Sequence, residues 1–275
     1  MKETKLFASK IIEIGEGKPI IGIVGLVHGN EPCGRKALDH LVNSPPKLKG
    51  TLRLFYANLK AEDAYVRGVD SNLNRVFPGD SEGDIEKKIA ASLAPHFDGC
   101  DYLLDIHSTS YPTEPFAISV IDSPEYDALA AATGLNKYVI MVDKMASGGS
   151  LIDEAIRRGA KAISFEAGTH EDDSSVTVAQ KVINDFLGNL GVIETDANKS
   201  SPEKFYGVDV VKVPNEEFTA SSKIHNFELL KAGTSYGSDE EKEFSLDYDC
   251  YPFLYSDKLV DNDVFVVSVK NKDED

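Results

Sequence analysis

Apolar, β-branched runs alternate with segments of helical spacing as far as about residue 191, and this alternation most constrains the fold. IIGIVGLV (20–27) is continuous and apolar, as a strand covered on both faces requires. PCGRKALDHLVNS (32–44) follows at helical spacing through Ala37, Leu38, Leu41 and Val42. The spacing predicts further strands at TLRLFYANL (51–59), DYLLDIHS (101–108), FAISVI (116–121), KYVIMV (137–142) and KAISFEAG (161–168). It predicts helices at 85–97, 123–134, 150–159 and 174–191. The helix at 123–134 has Ser123 as N-cap, proline in its first turn and a closing glycine. An α/β domain is expected, its mostly parallel or mixed sheet flanked by helices.

The pattern changes near residue 193. ETDANKSSPEK (194–204) reads as a linker, and YGVDVVKVP (206–214) then alternates in the β manner. HNFELLKAG, EKEFSLDY and DVFVVSVK read as further short β segments. Two domains are therefore expected: residues 1–193, and a small β-rich C-terminal domain at 201–275. The tail KNKDED is expected to be solvated.

A formal net charge of −17 argues against nucleic acid and against anionic membrane surfaces. It allows a small anionic substrate only where local arginines overcome the global field. MKETKLFASK lacks an apolar signal core, and the longest apolar run, 19–27, is too short to span a bilayer. Cys33, Cys100 and Cys250 are widely spaced, which favours reduced thiols and a cytoplasmic protein. Whether copies associate as a homo-oligomer is left open.

Ligands of α/β sheets collect at the carboxyl ends of strands. His28 follows the first predicted strand, His107 ends another, and Glu166 lies near the end of a third. Glu31 joins them locally, because Pro32 disfavours helical backbone at Glu31 while itself suiting the first helical position. Two histidines and a carboxylate match a catalytic zinc ligand set, with Glu166 left to take a proton from water. HxxE alone is a weak motif, so the conjunction carries the reading. The aperiodic stretch RGVDSNLNRVFPG (67–79) adds Arg67, Asn74 and Arg75, a set suited to clamping an anion. No GxSxG, GxxxxGK[ST] or GxGxxG occurs. SGGS (147–150) reads as a flexible turn. His40, His96, His170 and His225 lack partners at ligand spacing and are expected to be structural.

HGNE, Arg67, NLNRVFPG, DIHSTS and FEAG, in this order, resemble the succinylglutamate desuccinylase/aspartoacylase family, a relative of the zinc carboxypeptidases. The resemblance covers roughly 18–191, and a C-terminal β appendage fits it. It implies a zinc-carboxypeptidase-like fold and hydrolysis of the amide bond of a small, anionic N-acyl amino acid with one Zn2+. His28, Glu31 and His107 match the ligands, and Glu166 the catalytic glutamate. Arg67 matches the arginine that polarises the carbonyl, and Asn74 and Arg75 the pair that holds a substrate carboxylate.

Three departures stand out. The family usually reads D-L-N-R where this chain has Asn72-Leu73-Asn74-Arg75, so a neutral Asn72 is expected behind the first zinc histidine. Aspartoacylase's tyrosine and arginine before the catalytic glutamate have no counterpart in register, although Arg157 and Arg158 are near. Its C-terminal substrate tyrosine has only loose candidates, Tyr251 and Tyr255. Two rival readings are a zinc carboxypeptidase acting on peptides or cell-wall fragments, and a non-catalytic binding relative.

Overall fold

A computed structural model describes residues 1–141, 149–255 and 262–270. The tail from 271 and part of SGGS lie outside the described residues. The first half runs β1 (Lys2–Leu6), β2 (Ser9–Glu16), β3 (Ile20–Gly25), α1 (Pro32–Asn43), β4 (Gly50–Tyr56), α2 (Leu59–Ala64), α3 (Ile85–Leu93) and β5 (Tyr102–Thr109). There follow β6 (Phe116–Ser119), α4 (Pro124–Ala132), β7 (Lys137–Met141), α5 (Leu151–Arg157), β8 (Lys161–Thr169) and α6 (Ser174–Asn189). Beyond residue 200 lie β9 (Glu203–Lys212), β10 (Thr219–Ala220), β11 (Ser235–Ser238), β12 (Glu243–Ser245), β13 (Tyr251–Phe253) and β14 (Asp263–Val269).

Among the described residues one sheet has the order β1-β2-β4-β3-β5-β8-β6-β7-β9-β14-β13. Its centre, β4-β3-β5-β8, is parallel, and antiparallel pairings such as β8–β6 make it mixed, as expected. Helices cover both faces. Leu38 of α1, Leu129 of α4 and Val182 of α6 pack with Ile23 and Leu104 on one side. Ile89 of α3 and Leu151 of α5 pack with Val24 and Leu103 on the other. The core strands are thus apolar on both faces, which their unbroken apolar runs require.

Several local details differ from the sequence reading. The N-terminal hairpin β1–β2 is not among the expected strands, and no residue of β1 is buried. The strand expected over 51–59 stops at Tyr56, because Asn58 caps α2 by accepting from the Ala61 N–H at 3.1 Å. Residues 225–233 form turns with one isolated antiparallel bridge, Leu230 to Cys250, in place of a full strand. After residue 200, β9, β14 and β13 extend the large sheet from β7, while β10, β11 and β12 make a separate small sheet.

Candidate active site

Three parallel strands end side by side, and their ends carry the polar cluster. β3 stops where Leu26 takes a left-handed backbone (φ 65°), a costly conformation for a branched residue. The chain then turns through His28-Gly29-Asn30-Glu31 into α1. Glu31 is the N-cap residue of α1, with φ −110° and ψ 77°, and makes no side-chain cap bond. Pro32 has therefore left its carboxylate free of helix duties, as the proline argument expected. Gly29 has a steric reason, since a Cβ there would sit 2.0 Å from the Ala61 carbonyl carbon. His107 of β5 is the register partner of Glu166 on β8.

His28, Glu31 and His107 each offer a ligand atom, all within 4.8 Å of one another. They are 3%, 3% and 4% exposed. Nδ1 of His28 lies 2.7 Å from Glu31 Oε1, and Nδ1 of His107 lies 3.0 Å from Glu31 Oε2. Each ring is braced from behind. His28 Nε2 is 3.1 Å from Asn72 Oδ1, and His107 Nε2 is 2.8 Å from Asp105 Oδ2. Asn72 Oδ1 also accepts from the Asn74 N–H at 2.9 Å, which turns the oxygen toward His28. With its oxygen held this way, Asn72 favours the His28 tautomer protonated on Nε2, which turns the Nδ1 lone pair toward the Glu31 carboxylate. Two imidazoles and a carboxylate that converge in this way are a donor set that fits a metal ion.

The two rings differ in their electrostatics. Burial lowers the His28 pKa, favouring the neutral ring that ligates. Burial opposes charge on His107 too, yet Asp105 and Glu31 outweigh it and hold that ring's pKa well above the usual value. Burial also works against Glu31, but the two histidines keep its carboxyl well below the usual range. Glu166 is pushed up to about 8, chiefly by burial, with His107 and Arg67 pulling back and Glu31 pushing further. No group hydrogen-bonds Glu166 Oε2 among the described residues.

The other expected residues surround this centre. Arg67 Nη1 lies 3.2 Å from His28 Nδ1 and 3.7 Å from Glu31 Oε1. Asn74 and Arg75 line the same cavity, of about 440 Å³. The Asn74 side-chain oxygen accepts from the Leu151 N–H at 2.8 Å, leaving its amide N–H groups for a ligand. The aperiodic stretch is held by buried Glu86, whose carboxylate accepts from the backbone N–H of Val69, Asp70 and Ser71.

Asp105 and Glu86 went unnoticed in the sequence. D-x-H on a strand was the available signal for Asp105, since i and i+2 share a face. Glu86 looked like an ordinary charge in the first turn of a helix. His170 corrects an expectation. It lines the cavity, with Nδ1 3.4 Å from Ser108 Oγ, because β8 continues past Glu166 toward the same rim. Arg157 and Arg158 pair with Glu154 instead of entering the cavity. Tyr255 lines the cavity, its hydroxyl donating to the Ser221 carbonyl at 2.6 Å, whereas Tyr251 packs edge-on against Phe205.

Residues 18–187 match the family model described as the succinylglutamate desuccinylase/aspartoacylase catalytic domain. An N-alpha-acetyl-L-2,4-diaminobutyric acid deacetylase from Halomonas elongata is 29% identical over 215 residues, 71% of this chain. The chain spans 61% of that curated relative's length. A succinylglutamate desuccinylase/aspartoacylase from Rhodobacter sphaeroides shares the fold at TM-score 0.77 and 21% identity, covering 96% of this chain and 89% of its own. The product-bound ectoine utilization protein EutE (DoeB) from Ruegeria pomeroyi does so at TM-score 0.76 and 22% identity, covering 95% and 88%. Among the described residues no helix is long and apolar enough to cross a membrane.

Proposed function

The chain belongs to the succinylglutamate desuccinylase/aspartoacylase family, and on that premise we propose that it is a zinc-dependent hydrolase of small N-acyl amino acids. The observation that carries this is the His28–Glu31–His107 cluster, braced by Asn72 and Asp105, with Glu166 beside it. His28, Glu31 and His107 would hold one Zn2+. Bound there, the ion supplies Lewis acidity and a more acidic water.

This chain's own residues do the rest. Glu166, beside the ligand cluster and with no other group bonded to its Oε2 among the described residues, is placed to take a proton. Its Oε2 accepts the proton from the attacking water and passes it to the departing amine nitrogen. Arg67 points its guanidinium at the same centre, where it steadies negative charge developing on the carbonyl oxygen. Asn74, through its amide N–H groups, and Arg75 hold the carboxylate of the amino acid and so fix the amide's orientation. The relative from Halomonas elongata, a deacetylase of an N-acetylated amino acid, supports this substrate class. The three cysteines are buried free thiols, in keeping with the cytoplasmic location we propose.

The test is a hydrolysis screen of the zinc-loaded protein on N-acyl amino acids and short peptides, with a chelator control. Release of free amino acid that stops on chelation is expected. Cleavage confined to peptides would favour the carboxypeptidase reading. No turnover at all by the loaded protein would leave a binding protein.

A further inference from the structure

The cavity has two unlike halves, set by strand order. Over the ends of β3, β5 and β8 it is polar, with the histidines, the glutamates and Arg67. Past β8 the sheet continues through β6, β7, β9 and β14, and these strands turn an apolar wall to the cavity. Ile118 comes from β6, Met141 from β7, Val210 from β9 and Phe265 from β14, with Val120 and Leu254 alongside. All but Phe265 are partly exposed. Ile118, Met141, Val210 and Leu254 rest on the buried aromatics Phe116, Phe205 and Phe253, so the wall is backed by packed core. Lys212 also lines this side, but Asp263, its register partner across β9 and β14, forms an ion pair with it. That ammonium is answered within the wall.

We infer that the substrate carries, beside the carboxylate assigned to Asn74 and Arg75, an uncharged apolar group that lies against this wall. The inference rests on the amide-hydrolase reading above and narrows it. A second carboxylate placed against Ile118 and Phe265 would lose its water without gaining a partner. An aliphatic group there gains about four-fold in transition-state binding per buried methylene. The group could sit on the acyl side or be the amino-acid side chain. Its chemistry is the same in either place.

The experiment compares kcat/KM of the zinc-loaded protein for N-hexanoylglycine, N-acetylleucine, N-acetylaspartate and N-succinylglutamate. One of the first two should exceed both of the last two by at least about ten-fold, and which one leads identifies the side that bears the apolar group. An equal or higher value for N-acetylaspartate or N-succinylglutamate overturns the inference and leaves amide hydrolysis standing. Turnover of none of the four removes the hydrolase reading, and the inference with it. Ile118→Asp should raise KM for the better apolar substrate by about ten-fold or more, with Ile118→Ala as the milder variant if the aspartate prevents folding. An unchanged KM in a folded variant counts against the wall.

Discussion

Asn72 braces His28 with a neutral oxygen, where the family pattern usually has a carboxylate. A carboxylate would raise the basicity of the ring and add attraction for a cation. We therefore expect Asn72→Asp to tighten zinc binding, by about ten-fold, in a chelator competition. An unchanged dissociation constant would show that the second partner of the oxygen, the Asn74 N–H, already sets its orientation and strength. Glu166 makes a different prediction. Its folded pKa of about 8 stands above the ordinary 4.5 of a glutamate, so burying it neutral favours folding at low pH. That contribution is complete below 4.5 and is lost as pH rises to about 8, because the unfolded chain ionises first. In metal-free protein, Glu166→Gln should gain thermal stability relative to wild type across that window. With zinc bound, the same variant should lose turnover by about 10²-fold or more. A parallel pair of stability–pH curves would mean that the Glu166 carboxyl ionises as it does in the unfolded chain.

At the scale of elements, the corner between β3 and α1 does most to assemble the site. Leu26 ends the strand in a left-handed conformation, Gly29 lies against the backbone of α2, and Pro32 starts α1. Gly29→Ala must push the corner away from Ala61, since backbone cannot yield as a side chain can. A loss of about 3 kcal/mol in denaturant unfolding is expected, with weaker zinc binding because His28 and Glu31 move. Retained stability and affinity would mean that α2 can shift to accept the methyl. The HxxE corner was legible in the sequence because its logic is local: a proline fixes the conformation of the residue before it. The polar stretch at 67–79 was not legible as an ordered loop. Its organiser, Glu86, folds back on it from the first turn of the following helix, and no helical or strand period records such a bond.

For the whole molecule, the residues after 200 complete both the sheet and the cavity. β9 pairs in parallel with β7, and β14 and β13 follow it outward. Our proposed boundary between 193 and 201 thus divides the sequence while the sheet runs across it. A chain ending at 193 would leave the β7 edge unpaired and expose Val139, which is fully buried in the intact protein. It should aggregate or melt at much lower temperature, and lack the cavity wall from Val210 to Phe265. A soluble, active 1–193 fragment in gel filtration and hydrolysis assays would show that the C-terminal region is dispensable.

The sequence by itself determined the α/β class and put His28, His107 and Glu166 at or near the carboxyl ends of strands. Burial on both faces and placement at strand ends leave local marks: unbroken apolar runs, glycine stops and polar residues just beyond them. Its ordered motifs also carried the family. Only the tertiary structure decided that Glu86 holds the arginine loop, and that β6, β7, β9 and β14 wall the cavity with apolar side chains. Those facts depend on strand order and on contacts between distant residues, which a single chain's local spacing does not encode.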